Sequence, residues 1–353
     1  MTVTTSATVY GLDIAKSVFQ LHGEDSTGKI VVQKRLARSQ LEAFLGKLAP
    51  AVIGIEACGT SHFWARQIAA LGHTVRLIPA AYVKAFVKRN KNDARDAAAI
   101  CVAAGRPDMR AVPVKTIDQQ AARSLEHSRD LLVRQHTQLA NSLRGQMAEL
   151  GIVAAQGRRG FAALREILKN ASQAKAGETC AIPAVMAFAL GLLADQIDHP
   201  GTAAARLEDE IMARAKADPV MRNLCSIPGI GGLTAHAIVA AAGNGRQFAC
   251  ARDFAAWTGL TPKEHSSANR HRPGGISKMG DRMLRKLLAL GASTIMRNAR
   301  ACAGKATPWQ RGILARRPMK VAVLAQAAKT ARIAWAVLVS GEAFRKPAPV
   351  AAA

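Results

Sequence analysis

Residues 7–14, Ala-Thr-Val-Tyr-Gly-Leu-Asp-Ile, decide how the first third of the chain folds. The branched and aromatic residues predict a β-strand that delivers one carboxylate, Asp13, at its C-terminal tip. A second strand is expected over 17–23. Asp25-Ser26-Thr27-Gly28 predicts a turn, and a third strand follows over 30–34. Ser39 and Glu42 fit a capping box, with Leu41, Phe44, Leu45 and Leu48 at helical spacing and Pro50 as the stop. A short apolar strand over 51–55 leads into Glu56. Thr60 or Ser61 caps the next helix, which reaches Leu71 and ends at Gly72. A strand over 74–78, a basic segment over 84–92 and a helix over 93–104 complete the region.

The predicted order is β-β-β-α-β-α-β-α. Three consecutive strands followed by alternating helices and strands predict an α/β ribonuclease-H-like (RuvC-like) domain over 1–115. A fully alternating dinucleotide-binding fold would not open with three strands, and no G-x-G-x-x-G follows the first. Asp13 and Glu56 end strands, and Asp93 and Asp96, three apart at a helix start, share one face. All four carboxylates are thereby expected at one end of the sheet. Phosphodiester chemistry commonly uses two divalent ions about 4 Å apart, and Mg²⁺ prefers oxygen ligands. The expectation is a Mg²⁺ site, with two metals, made by Asp13, Glu56, Asp93 and Asp96. A solvated charge or a helix cap is the plainer reading of any one of them.

Charge points to the partner. Lys plus Arg is 49 and Asp plus Glu is 24, a formal net charge of +25. That surplus favours a polyanion, because neutralised phosphates release counterions. Aromatics make up 4% of the chain, so stacking on single-stranded bases is not the expected mode. The six cysteines, at 58, 101, 180, 225, 250 and 302, form no CxxC pair and are expected to be reduced and mostly buried in a cytoplasmic protein. The N-terminal residues lack a signal-peptide pattern, and no apolar run reads as a membrane span.

A helical middle region is expected over 116–217. Leu125, Leu132 and Leu139 repeat at seven residues, and Leu143, Met147 and Leu150 extend the stripe. This predicts a helical hairpin or coiled coil, with an ordinary packed amphipathic helix as the alternative. Residues 151–177 read as a linker with a short helix. A further helical stretch over 182–215 is expected to break at His199-Pro200-Gly201.

A third domain, mainly α-helical, is expected over 218–345, with a tail over 346–353. Ser226-Ile227-Pro228-Gly229-Ile230-Gly231 looks like the turn of a helix-hairpin-helix, where Gly229 and Gly231 let backbone N–H groups approach a phosphate. A basic loop follows Gly259-Leu260-Thr261-Pro262, carrying Lys263, Ser266, Ser267, Arg270 and Arg272. Ser277-Lys278-Met279-Gly280 follows, and then a basic amphipathic helix carries Arg282, Arg285 and Lys286. These basic residues and glycines are the candidate nucleic-acid contacts.

GLDIAK, IEACGT, NDARDA, SIPGIG and GLTPKEHSS…ISKMGDRMLRKLL occur here in the order found in the DEDD transposases of bacterial insertion sequences, the bridge-RNA-guided recombinases. The resemblance covers nearly the whole chain. It implies a RuvC-like domain whose Asp-Glu-Asp-Asp set matches Asp13, Glu56, Asp93 and Asp96, a central coiled coil, and a C-terminal transposase domain. It also implies a nucleophilic serine in the loop after GLTP, here Ser266 or Ser267; Ser277 better fits a helix cap. Many family members carry a glycine after this serine, where this chain has Ser-Ser-Ala-Asn, which leaves the register open. By the same resemblance the carboxylate and serine sites combine, and the partners are donor and target DNA, a noncoding guide RNA and further copies of the chain as a dimer or tetramer. The competing readings are a Holliday-junction resolvase-like nuclease that uses water, and a non-enzymatic basic DNA-bridging protein. A sugar-kinase-like ATPase shares the GLD strand but needs a second glycine-rich phosphate loop.

Overall fold

A computed structural model describes residues 7–87, 92–173, 182–266, 272–302, 304 and 306–345. The chain divides into two compact units, Met1–Thr116 and Ile117–Ala353.

The first unit is built on a five-stranded sheet. Its strands are β1 (Val9–Asp13), β2 (Val18–Glu24), β3 (Ile30–Ala37), β4 (Val52–Glu56) and β5 (Thr74–Ile78), in the spatial order β3-β2-β1-β4-β5. β1, β2 and β3 pair antiparallel, and β1, β4 and β5 pair parallel. Such a mixed sheet is compatible with a ribonuclease-H-like arrangement. β1 lies at its centre, with Tyr10 opposite Gly23 on one side and Ile53 on the other.

Alternation along β1 sends its side chains to two different layers. Tyr10 and Leu12 face a core with Phe19, Leu21, Ile53 and Ile55, closed by α1 (Leu41–Leu45) and by Trp64, Ala65 and Ile68 of α2 (Ser61–Ala70). Gly11 faces the other way. A Cβ there would lie 2.0 Å from the Ala97 carbonyl oxygen and 2.4 Å from the Cys101 nitrogen. One strand over, a Cβ on Gly54 would lie 2.3 Å from the Ala104 Cβ. After the short α3 (Ala80–Val83), α4 (Asp93–Gly105) therefore lies directly on the backbones of β1 and β4. Its small residues Ala97 and Ala104 permit that approach.

Several expectations are corrected here. The capping bond near residue 39 lies two residues earlier: Gln40 Oε1 accepts the Ala37 N–H at 3.0 Å, and a 3-10 turn over Arg38–Gln40 precedes α1. Ser39 and Glu42 do not form it. Thr60 occupies the N-cap of α2 without a side-chain bond, while the Ser61 hydroxyl bonds back to Cys58. Asn92, not Asp93, caps α4, accepting the Arg95 N–H at 2.9 Å. Of the described cysteines Cys101 is buried, but Cys58, Cys225, Cys250 and Cys302 are exposed, contrary to expectation.

The second unit is mostly helical. α5 (Ile117–Ala148) and α7 (Ala184–Ala217) pack antiparallel, since Arg129 meets Glu208 and His136 lies against Gly201. α7 continues through Pro200 rather than breaking. Pro200 is buried, and tertiary packing offsets the one lost hydrogen bond. The helix expected within 151–177 is α6 (Arg158–Gln173), longer than expected at sixteen residues, whose Leu164 and Leu168 join Leu143, Met147, Leu190 and Ile197 in one core.

Beyond these lie α8 (Pro219–Cys225), α9 (Gly232–Ala242), α10 (Ala251–Trp257), the hairpin of β6 (Pro262–Glu264) and β7 (Pro273–Ile276), α11 (Arg282–Ala301), α12 (Pro308–Arg316) and α13 (Met319–Ser340). α13 is long and apolar enough to cross a membrane, contrary to the expectation that no run is. Ala327, Ala331, Ala334 and Leu338 bury one of its faces in the core made with α9, α10 and α11.

The close seat of α4 on β1 is testable. Gly11→Ala should destabilise the chain by about 3 kcal/mol, as expected for overpacking against fixed backbone. Gly59→Ala, where a Cβ meets nothing within 4 Å, should change stability by less than about 0.5 kcal/mol. Urea unfolding of the two variants makes the comparison, and equal midpoints would mean α4 does not lie against Gly11.

Candidate active site

β1 ends at Asp13, and two-residue alternation puts Asp13 on the same face as Gly11, under α4. α4 runs back along β1: Ala97 sits over Gly11, Cys101 donates its thiol proton to the Val9 carbonyl at 3.4 Å, and Gly105 reaches Val9. The first turn of α4 thus stands at the C-terminal tip of β1. Asp93 and Asp96 occupy that turn. One carboxylate oxygen from each of Asp13, Asp93 and Asp96 lies within 4.8 Å of the others. Asp13 and Asp96 are half-buried and Asp93 is exposed.

Glu56 stands outside that trio. It ends β4, beside the end of β1 in parallel register, and is on the α4 face because Gly54 is. The sheet therefore carries Glu56 to the same end and face, one strand over.

Oxygens bound to one Mg²⁺ at about 2.1 Å lie no more than about 4.2 Å apart. The observed spacing is within a small side-chain rotation of that value. The donors are all hard carboxylate oxygens, which suit a divalent cation of that kind. A second group, His22, Glu24 and Cys101, is also compact, but its chemistry differs. His22 bonds Glu24 at 2.9 Å and Gln33 at 3.3 Å. Burial, and then the charge of Glu24, push the Cys101 thiol up to about 12, so no thiolate forms near neutrality.

In the second unit, Lys263 and Glu264 are exposed on β6, and Ser266 follows two residues later. The Ser266 hydroxyl donates to the Glu264 carboxylate and accepts the Arg272 N–H at 3.0 Å. The sequence did not single out Glu264, because the stretch after Pro262 reads as a loop and has no periodicity that would pair it with Ser266. Ser267 and Arg270 lie outside the described residues.

The Gly-rich turn joins α8 to α9. Gly229 has φ of +83°, and a Cβ there would lie 2.6 Å from Ile295 and 3.1 Å from the Gly291 carbonyl. Gly229 thus lets the turn close on α11. Gly231 differs: it is the exposed N-cap of α9, with open space where a Cβ would be and no side-chain cap.

Lys278 is exposed, with φ of +56°, and donates its N–H to the Gly259 carbonyl at 3.1 Å. Arg282 is exposed. Nη1 of Arg285 donates to the Thr258 and Met279 carbonyls, each at 3.1 Å, and clasps the two turns together.

A mixed α/β sheet bearing clustered carboxylates, followed by a largely helical unit in a chain of charge +25, is the build of a DNA-processing enzyme. Comparison with known proteins agrees. A model of DEDD transposases of the IS110 type, described as a transposase, matches residues 10–152, and one described as the transposase IS116/IS110/IS902 family matches residues 221–306. A probable family 20 transposase of Pseudomonas aeruginosa is 44% identical over 95% of this chain and 98% of its own length. The transposases for insertion sequence elements IS1111A of Coxiella burnetii and IS1328 of Yersinia enterocolitica are 38% and 36% identical, covering 96% and 97% of this chain and 91% and 99% of their own lengths. The molecule is a transposase, an enzyme that cuts and rejoins DNA. It belongs to the IS116/IS110/IS902 family of insertion-sequence transposases.

The clasp made by Arg285 separates structural from binding arginines. Arg285→Ala should lose about 1.5–3 kcal/mol of stability, the usual worth of hydrogen bonds from a charged group. Arg282→Ala should lose less than about 0.5 kcal/mol, being an exposed substitution. Urea unfolding measures both, and an Arg285→Ala variant as stable as the parent would return that residue to the candidate nucleic-acid contacts.

Proposed function

We propose that this transposase cuts and rejoins DNA with a Mg²⁺-binding carboxylate site and a serine nucleophile, at sites selected by a noncoding RNA. The observation that carries the reading is the convergence of Asp13, Asp93 and Asp96 from a strand end and a helix start. Glu56 supplies a fourth carboxylate from the adjoining strand, enough donors for two ions. Bound Mg²⁺ supplies charge neutralisation at the scissile phosphate. The chain's own part is to hold the four oxygens at one end of the sheet.

The serine is Ser266 or Ser267. For Ser266 the chemistry is supported by its hydrogen bond to Glu264. The carboxylate takes the hydroxyl proton as Oγ attacks phosphorus. A phosphorus–oxygen bond to serine forms, one to the deoxyribose breaks, and the departing oxygen takes up a proton. Ester energy is retained, so rejoining the strand needs no ATP. Lys263, Arg270, Arg272 and Lys278 would hold the phosphate and its developing charge. The α8–α9 turn would act as a helix-hairpin-helix through Gly231 and the free N–H groups of α9.

Resemblance to the guided recombinases, and the charge of +25, support the RNA partner. They also support a cytoplasmic homo-oligomer, a dimer or tetramer, in which the long α5–α7 pair plays the part of the family's coiled coil.

Two experiments test the chemistry. Mg²⁺ should raise the melting temperature of the whole protein, since ligands that bind only the folded state stabilise it. Asp96→Asn or Asp13→Asn should remove that shift and abolish strand exchange, while melting no lower than the parent in EDTA. Full exchange in EDTA, or in either variant, refutes the metal site. Ser266→Ala or Ser267→Ala should eliminate a covalent protein–DNA adduct on denaturing gels yet leave DNA binding within about threefold, as a lost single contact allows. Cleavage without any adduct in the parent protein would instead indicate attack by water.

A further inference from the structure

The second unit carries a cleft of about 520 Å³ outside the sites described above. Its walls are one face of α5, with Arg123, Asp130 and Arg134, and the start of α11, with Asp281, Arg282 and Lys286. We infer that this cleft is a binding groove for the phosphodiester backbone of a nucleic acid. The inference rests on the reading that the protein works on nucleic acid, and joins the candidate contact Arg282 to a wall on α5, which is remote in sequence from the serine loop.

Three features support the assignment. The first is composition: four cations and two carboxylates line the cleft. Second, the floor is fixed in advance. Arg123 is held by Glu126 at 2.6 Å and by Asp281, and Glu126 is itself bonded to the buried His236 at 2.8 Å. Asp281 caps α11 by accepting the Leu284 N–H at 2.8 Å. The two walls are therefore tied together before any ligand arrives, which lowers the ordering cost of binding.

Third, the rim cations are available. Arg282 is exposed and, among the described residues, has no acidic partner. Arg134 and Lys286 share a single carboxylate, Asp130, at 3.1 and 3.2 Å, so one negative charge serves two exposed positive ones. Such exposed pairs are weak and readily exchanged for phosphate oxygens. Residues 123, 130 and 134 extend about 16 Å along α5 at 1.5 Å per residue. That is long enough to follow a backbone over several nucleotides. Asp130 thus has a particular place: it is the internal competitor of the phosphate.

The full-length protein is titrated with labelled duplex DNA and, separately, with an RNA hairpin, by fluorescence anisotropy across a salt series. Arg134→Ala combined with Arg282→Ala should weaken binding about tenfold or more and flatten the log K against log salt slope by about 1.8 on duplex DNA. Asp130→Asn should tighten binding about threefold, by freeing two cations for phosphate. A purely structural role for Asp130 would not produce tightening. As a control of equal charge loss, Arg214→Ala with Lys216→Ala, exposed on α7, should leave the slope within about 0.5 of the parent. A change in the DNA arm, the RNA arm or both supports the groove and names which backbone it takes. An unchanged slope in both arms, or the same loss in the control pair, overturns the groove while the parent's own binding keeps the nucleic-acid reading intact. If the parent shows no salt-dependent binding at all, both fall.

Discussion

The contact of α4 with the bare backbone of β1 over Gly11 sets the geometry of the first unit. Helices usually stand about 10 Å off a sheet because side chains fill the gap. Here one residue of the strand has no side chain, and the helix above it presents Ala97. The same relation recurs between Gly54 and Ala104. These paired small residues bring the helix down onto the sheet along its length. Because α4 runs opposite to β1, that seat also brings its first turn to the strand's tip. The spacing of Asp13, Asp93 and Asp96 is thus a consequence of packing by residues that carry no chemistry.

This constraint was only partly legible in the sequence. The strand ending at Asp13 and the helix starting near Asp93 could be read from branched residues and from the Ala-rich run. The glycine at position 11 could not be read as a helix seat, since a glycine inside a strand has several uses. The helix ends were misread where two polar residues competed to cap. Ser39 and Glu42 match a capping pattern, but Gln40 makes the bond to Ala37 because a 3-10 turn begins one residue sooner. Composition also misled in the second unit. The Gly, Ala and Arg content over 151–177 hid the i, i+4 pair Leu164 and Leu168, which is what makes α6 a packed helix.

Pro200 and Arg285 show a different limit. Local rules predict a break at the proline, but Pro200 is buried and the helix runs through it whole. An arginine on a basic helix face reads as a phosphate contact, yet the Arg285 guanidinium faces two backbone carbonyls that the turns at 258 and 279 present. Neither fact has a sequence signal, because each depends on what another segment places nearby. Glu264 and Ser266 are a local case. Glu264 ends β6 and Ser266 lies two residues beyond it, so the serine hydroxyl meets a carboxylate at the strand end.

The electrostatics of the chain set one problem. The chain is strongly basic, yet three of its carboxylates have oxygens held within 4.8 Å of one another. Asp93 and Asp96 lie in the first turn of α4, whose N-terminus favours negative charge. Carboxylates repel the phosphate that a basic surface attracts. The divalent cation proposed above would relieve that conflict, because such an ion neutralises carboxylates and phosphate oxygens at once. In that proposal the basic residues would deliver the backbone and the acidic trio would hold the cation, which gives an acidic cluster at the tip of the central strand a use in a chain so rich in Lys and Arg.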